Sequence, residues 1–261
     1  MSQSSWSCLR DGFHVEQNSP SPDAGLGVPP VIWFRNLLQK NGQTPGDHQM
    51  DQIAMFVELL LDWNSKVNLI SRKDTENVWQ AHVLHSASIL FLTEIPQNSK
   101  VLDLGSGGGL PGIVIKILRP DVEMTCLDAT RKKMEAVADM IARLGLSQCG
   151  SSWGRAEDLG TGDPHRSHYD TVLARAVAPL RDLVRWSSPF LRHSDSAPPT
   201  PDGTRPRRPT LIALKGGDLD RERAQASALP GVRSVRESAL IFHGAEQVPG
   251  VDKKIVIVEF D

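Results

Sequence analysis

The sequence is poor in cysteine: Cys8, Cys126 and Cys149 are an odd number, with no C-x-x-C spacing among them. Neither a disulfide framework nor a zinc site is expected from that pattern, which suits a reducing compartment. An excess of positive charge is also missing, since 29 Lys and Arg stand against 31 Asp and Glu for a formal net charge of -2. A uniformly basic coat for nucleic acid is thereby excluded, and any contact with phosphate has to come from a local patch. There is no run of ~18 apolar residues, which removes a transmembrane helix. No apolar stretch of about 7 residues follows a positive start behind Met1-Ser2-Gln3, so no secretory leader is expected and the expected compartment is the cytoplasm. Internal repeats are absent as well.

At 261 residues and 39% hydrophobic, the chain has enough apolar side chains for the core of one α/β domain with segments to spare. Residues 1 to 28, rich in Ser, Pro, Gly and Asn and without a period of 2 or 3.6, read as a mobile extension. A helical segment follows within residues 45 to 95. Ile53, Phe56, Val57, Leu59, Leu60, Leu61 and Trp63 form one broad apolar face from Asp47 onward. Val78, Trp79, Val83, Leu84, Ala87, Leu90 and Phe91 predict a second helix over Thr75 to Leu92.

From residue 96 to 261 strands and helices alternate. Strands are expected at Lys100 to Leu104, Glu123 to Leu127, Ser151 to Trp153, Asp170 to Ala174 and Thr210 to Leu214. Helices are expected at Pro111 to Leu118, Arg131 to Leu144 and Pro179 to Leu191. This spacing predicts a doubly wound α/β fold, its mostly parallel sheet covered on both faces. At the end the rhythm breaks. Val232 to Phe242 and Lys254 to Phe260 are linked through the nine residues Gly244 to Asp252, too few for a helical crossover, so they should pair antiparallel. Residues 193 to 209, with five prolines and Arg205, Arg207 and Arg208, read as an exposed loop.

The densest signal is Val101-Leu-Asp-Leu-Gly-Ser-Gly-Gly-Gly-Leu-Pro-Gly112, where four glycines in five residues follow a buried strand directly. Backbone there can approach a ligand closely. Gly107, Gly109 and Gly112 satisfy G-x-G-x-x-G and by themselves invite a nicotinamide or flavin reading. Asp103 argues against it, because a carboxylate two residues before Gly105 would oppose a pyrophosphate. S-adenosyl-L-methionine carries a sulfonium, an ammonium and no phosphate, so an acidic edge attracts it. Asp128, nineteen residues after Gly109 at the end of the second strand, stands where an acid accepts from ribose hydroxyls. The expected architecture is the Rossmann-like class I methyltransferase fold, with added N-terminal helices and an antiparallel C-terminal strand. The residues alone leave other readings open: a methyltransferase of a small molecule or protein, a non-catalytic nucleotide- or RNA-binding module, or an NAD-dependent oxidoreductase.

Four stretches narrow these options: Trp63-Asn-Ser-Lys-Val-Asn-Leu-Ile-Ser71, Asp103 to Gly112, Leu173-Ala-Arg-Ala-Val-Ala178 and Ala213-Leu-Lys-Gly216. With them, residues 45 to 261 resemble the bacterial 16S rRNA guanine-N7 methyltransferases of the RsmG (GidB) type. The resemblance implies S-adenosyl-L-methionine as cofactor and 16S rRNA or the 30S subunit as partner, with guanine 527 as the methylated base. It calls for no DNA, membrane or metal. By the same resemblance Gly105 and Leu110 belong to the cofactor turn, Ala156 and Glu157 to the pair beside the adenine, Arg175 to an S-R-A element and Asp128 to the acid after the second strand. Gly107 and Asp103 complete the expected cofactor set. The chain departs from the family where Arg-His-Ile-Leu-Asp-Ser is usual, having Ala81-His-Val-Leu-His-Ser86 instead.

Guanine N7 is a lone pair without a proton, so its methylation needs no general base, and no acid/base constellation is expected. Arg175 and Lys215, each at the C-terminal end of a strand, are the positioning candidates. His82 and His85 are spaced i, i+3, but no third ligand completes a metal site. Arg72, Lys73, Arg131 to Lys133, Arg155, Arg181, Arg185 and Arg205 to Arg208 are candidates for an RNA phosphate footprint. Asn64 and Asn68, four apart, are expected on one helical face.

Overall fold

The computed structural model describes residues 28–175, 177–192, 208–250 and 252–261. The extension expected at 1 to 28 lies outside them except for Val28, which packs against the core. The Pro/Arg-rich loop at 193 to 209 also lies outside them, apart from Arg208 and Pro209.

A helix absent from the sequence-based reading opens the fold. α1 (Pro30–Lys40) starts on a proline, whose missing N–H is harmless in a first turn, and buries Trp33, Phe34, Leu37 and Leu38. α2 (Asp47–Asn64) buries Met50, Ile53, Phe56, Val57, Leu59 and Leu60 on the face that its periodicity predicts. The next helical tract is less regular than expected. A π-helical turn at Trp79–Leu84 runs on through the short α3 (His85–Ala87) and α4 (Ile89–Leu92). One extra residue per turn is a bulge of the kind often found where a helix meets a site.

The α/β portion follows in chain order: β1 (Lys100–Leu104), α5 (Gly112–Leu118), β2 (Glu123–Asp128), α6 (Arg131–Arg143), β3 (Cys149–Trp153), α7 (Ala156–Leu159), β4 (Thr171–Arg175), α8 (Leu180–Ser187), β5 (Thr210–Gly216), α9 (Asp220–Ser227), β6 (Val232–Ala239) and β7 (Lys253–Phe260). The seven strands form one sheet of order β3-β2-β1-β4-β5-β7-β6. β1 to β5 are parallel, and β7 inserts antiparallel between β5 and β6. This is the expected doubly wound, mostly parallel sheet with its antiparallel end.

Alternation along the strands divides the interior into two apolar layers. Val101 and Leu173 join the layer formed with α1, α2, α5 and α6, while Leu102, Val172 and Ala174 join the one formed with α8 and α9. Both faces are covered, so the strands read as continuous apolar runs. β6 ends at Ala239, three residues sooner than expected, because Phe242 leaves the sheet to pack its ring on Phe91, with centroids 5.2 Å apart.

Candidate active site

The order of the strands reverses between β1 and β4, and at that point the chain crosses between the two halves of the sheet. Open α/β sheets bind ligands outside the carboxyl ends of strands at such a switch. β1 ends at Leu104, and the glycine turn sits directly beyond it. The backbone N–H groups of Gly105 and Ser106 both donate to the carbonyl of Leu127, at 2.8 and 2.9 Å, which fastens the turn to the end of β2. At Gly105 φ is +70°, and a Cβ there would lie 2.7 Å from the side chain of Val177, so that position requires glycine on both counts.

Asp128, the last residue of β2, braces the turn from the other side. Its Oδ2 accepts from the N–H of Gly107 at 3.1 Å and its Oδ1 from the N–H of Thr130 at 2.8 Å. Gly105, Gly107, Leu110, Asp128 and Arg175 all line one cavity of about 340 Å³, joined by Leu69, Ile70 and Lys133. The turn's own Ser106 also faces it, and its buried hydroxyl has no hydrogen-bond partner.

Asp103 takes a different place from the one its sequence position suggests. It is fully buried beneath the turn, its Oδ2 accepts from the N–H of Gly112 at 2.8 Å, and it does not line the cavity. It therefore offers no exposed charge to repel a pyrophosphate, and what it governs is the path of the chain into α5. Burial raises its carboxyl to about 7 against the pull of the Gly112 N–H and Arg175. Ala156 and Glu157 open α7 after β3, one buried and one exposed, and line neither this cavity nor its neighbour.

A second cavity of about 490 Å³ adjoins the first, and the two share His82 and Arg175 as lining residues. The far walls of the second come from His85, from Lys215 at the end of β5, from Glu222 of α9 and from Lys253 at the start of β7. Arg175, at the end of β4, is held in the common wall: its Nη1 donates to His82 Nδ1 at 2.9 Å and to the carbonyl of Ala81 at 3.3 Å. A guanidinium can only donate, so His82 Nδ1 must be the unprotonated nitrogen. His82 Nε2 then lies 3.4 Å from the carboxylate of Asp74. Burial first, then the charges of Arg175 and Lys253, bring His82 down to about 3, and it is neutral at physiological pH. Lys215 is committed to Glu222 at 2.7 Å and to the carbonyl of Ala178 at 2.9 Å.

The element Trp63 to Ser71 reaches the site through one side chain. α2 ends at Asn64, whose Oδ1 accepts from the N–H groups of Leu69 and Ile70, both at 2.9 Å, and so holds those two residues in the cavity wall. Asn68 lies beyond the helix end and is exposed, so the two asparagines share no helical face. Of the positive candidates, Lys133 lines the turn cavity. Arg72 and Lys73 directly follow its lining residue Ser71 and are exposed, as are Arg131, Lys132, Arg155, Arg181 and Arg185. Among the described residues, no group of three or more His, Cys, Asp or Glu is arranged to hold a metal ion. No helix of the described residues is long and apolar enough to cross a membrane.

Sequence reasoning missed Lys253, Glu222 and the cavity-facing role of His85. Nothing in their local sequence marks them, because they meet only where the C-terminal hairpin comes back beside β5.

The family described as rRNA small subunit methyltransferase G (GidB) matches residues 49–197. Among curated relatives, the protein named ribosomal RNA small subunit methyltransferase G from Bacteroides fragilis strain YCH46 is 38% identical over 210 residues, spanning 80% of this chain and 84% of its own. Its namesake from Chlorobium luteolum is 40% identical over 193 residues, or 74% of this chain and 73% of its own. The one from Moorella thermoacetica is 39% identical over 151 residues, and the match spans 58% of this chain and 63% of that relative. The turn beyond β1, the asparagine-held wall above it and Arg175 between the two cavities all fall within the matched region, and the chain belongs to the rRNA small subunit methyltransferase G family.

Proposed function

We propose that this protein transfers a methyl group from S-adenosyl-L-methionine to N7 of a guanine in 16S rRNA, guanine 527 by family resemblance, acting on the rRNA or the 30S subunit in the cytoplasm. The observation that carries the reading is the pair of adjoining cavities sharing Arg175 and His82, one walled by the glycine turn and Asp128, the other by His85, Lys215, Glu222 and Lys253.

The residues present fit the cofactor. Asp128 uses its two backbone bonds to hold the turn and keeps lone pairs for the hydroxyls of a ribose, and the unpartnered hydroxyl of Ser106 is a further polar contact. Leu69, Ile70, Leu110 and Val177 give the apolar wall against which an adenine would lie. When bound, S-adenosyl-L-methionine supplies an electrophilic methyl group on a sulfonium. Held by Asp128, Ser106 and that apolar wall, it would offer the methyl to the N7 lone pair, with the bonding electrons of the carbon–sulfur bond going to sulfur and the positive charge to the guanine.

No proton has to be removed, which matches a site whose buried histidines are neutral and fixed. What the chain contributes is placement: Arg175, clamped by His82 and Ala81, sets the boundary at which two bound molecules would meet. Asp103 and Asn64 act one step back, by holding the turn and the wall. The exposed Arg72, Lys73, Arg131 and Lys132 supply phosphate contacts around the opening.

The test is to incubate the protein with methyl-labelled S-adenosyl-L-methionine and with deproteinised 16S rRNA or 30S particles from cells lacking this activity. Label recovered as 7-methylguanosine is expected. An absence of label in rRNA from every assembly state overturns the reading.

A further inference from the structure

The second cavity holds a group that the proposed chemistry does not yet use. His85 is buried, and its Nε2 has no hydrogen-bond partner. The imidazole's other side is occupied, because it donates to the backbone carbonyl of Ala81. With Nε2 the nitrogen left over, the donating atom is Nδ1, and that bond fixes the tautomer. Burial, followed by the charges of Arg175 and Lys253, holds His85 down to about 3, so the ring is neutral and Nε2 presents a bare lone pair. A buried acceptor left without a partner, on a residue that lines a cavity of this size, is a demand for an N–H or O–H.

The position of His85 indicates which edge of a base it would meet. His82 and Arg175 line both cavities, whereas His85 lines only the one away from the glycine turn. In guanine, N7 lies on one side of the fused ring, and the N1–H and 2-amino donors lie on the other. A guanine that turns N7 toward the glycine turn directs those donors into the second cavity, where an acceptor waits. Adenine has an N7 as well, but its N1 is a lone pair, so the same placement sets acceptor against acceptor.

We propose that His85 is a specificity-determining residue, its Nε2 accepting a hydrogen bond from the N1–H or 2-amino group of a guanine seated in the second cavity. The assignment rests on the reading of the protein as a guanine-N7 methyltransferase. It gives the His82–His85 pair two separate duties: His82 fixes Arg175, and His85 selects the base.

The test compares wild type, His85→Phe and His85→Asp on 30S particles reconstituted with 16S rRNA carrying either G or A at the methylated position. Binding of S-adenosylhomocysteine is measured in parallel. For H85F, kcat/KM on the G substrate should fall roughly 10- to 100-fold, the cost of a lost contact to a buried group, and the preference for G over A should shrink with it. Affinity for S-adenosylhomocysteine should stay within about twofold, since His85 does not line the turn cavity. H85D, which still offers an acceptor, should keep the preference for G. If H85F folds poorly, H85D decides alone, and loss of the G preference in that variant overturns the assignment. Full activity and undiminished preference in H85F overturn it too, while the function stands. Wild type that labels no rRNA overturns the function and this assignment together.

Discussion

The carboxylate of Asp103 accepts a hydrogen bond from the backbone N–H of Gly112 at 2.8 Å, and this contact joins the end of β1 to the first residue of α5 underneath the glycine turn. The turn is therefore held from below by a fully buried side chain that lies outside the cavity wall.

The burial of Asp103, which outweighs the opposing pull of this contact, makes stability depend on pH in a definite direction. Asp103 is raised from 3.8 to about 7 in the folded protein, so the folded state binds the extra proton between those values. Its contribution to stability is complete below 3.8 and is lost as pH rises through 7. Asp103→Asn keeps an oxygen for Gly112 but does not titrate. Urea denaturation from pH 4 to pH 8 should show wild type losing stability relative to D103N across that window, and a constant difference would contradict the assignment.

The closeness of the same pair forbids a side chain at 112. A Cβ there would lie 2.7 Å from Asp103 Oδ2 and 2.8 Å from its Cβ. Gly112→Ala should lower the free energy of unfolding by about 1–3 kcal/mol, as overpacking of a tight interior does, and should weaken S-adenosylhomocysteine binding by displacing the turn. Calorimetric titration together with thermal unfolding checks both effects.

The wall opposite the turn hangs on Asn64. With Asn64→Ala the N–H groups of Leu69 and Ile70 lose their acceptor, which should cost about 1–2 kcal/mol and raise the Kd for S-adenosylhomocysteine. N64D keeps an acceptor and should recover most of both. Equal losses in the two variants would show that the carboxamide oxygen is not what holds the loop.

How far these relationships could be read from the sequence follows from how local they are. The strands and the glycine turn were legible, since Val101 to Leu104 alternates between two apolar layers and the glycines follow at once. Asp128 was legible too, by its distance from the turn. Asp103 was noticed, but its direction was not foreseen: a strand's alternation gives its face, and only the packing of Gly112 against it shows that it points under the turn. α1 was missed because its eleven residues lie between prolines and a glycine, with too short an apolar period to stand out. The second cavity was illegible for a further reason. His85 and Lys253 are 168 residues apart in sequence, and only the antiparallel return of β7 beside β5 brings them to one wall.

Arg175 supports a prediction that joins charge to pH. His82 is lowered from 6.5 to about 3 by burial and then by Arg175, so its contribution to stability is present above 6.5 and is lost as pH falls toward 3. Arg175→Met removes the second of these causes and should move the His82 titration, followed by imidazole NMR, back up toward 6.5. The stability lost between pH 7 and pH 4 should shrink accordingly. It should also impair methyl transfer, because Arg175 lines both cavities. An unmoved His82 titration would contradict the clamp.

The central claim, that the adjoining cavities unite a methyl donor with a guanine of 16S rRNA, is tested most directly in cells. Reduction followed by strand scission at 7-methylguanosine, read out along the 16S rRNA, compares a strain carrying this gene, one deleted for it, and one complemented with it. The account predicts scission at a single guanine, position 527, that disappears on deletion and returns on complementation. An unchanged scission pattern in the deletion strain would contradict it.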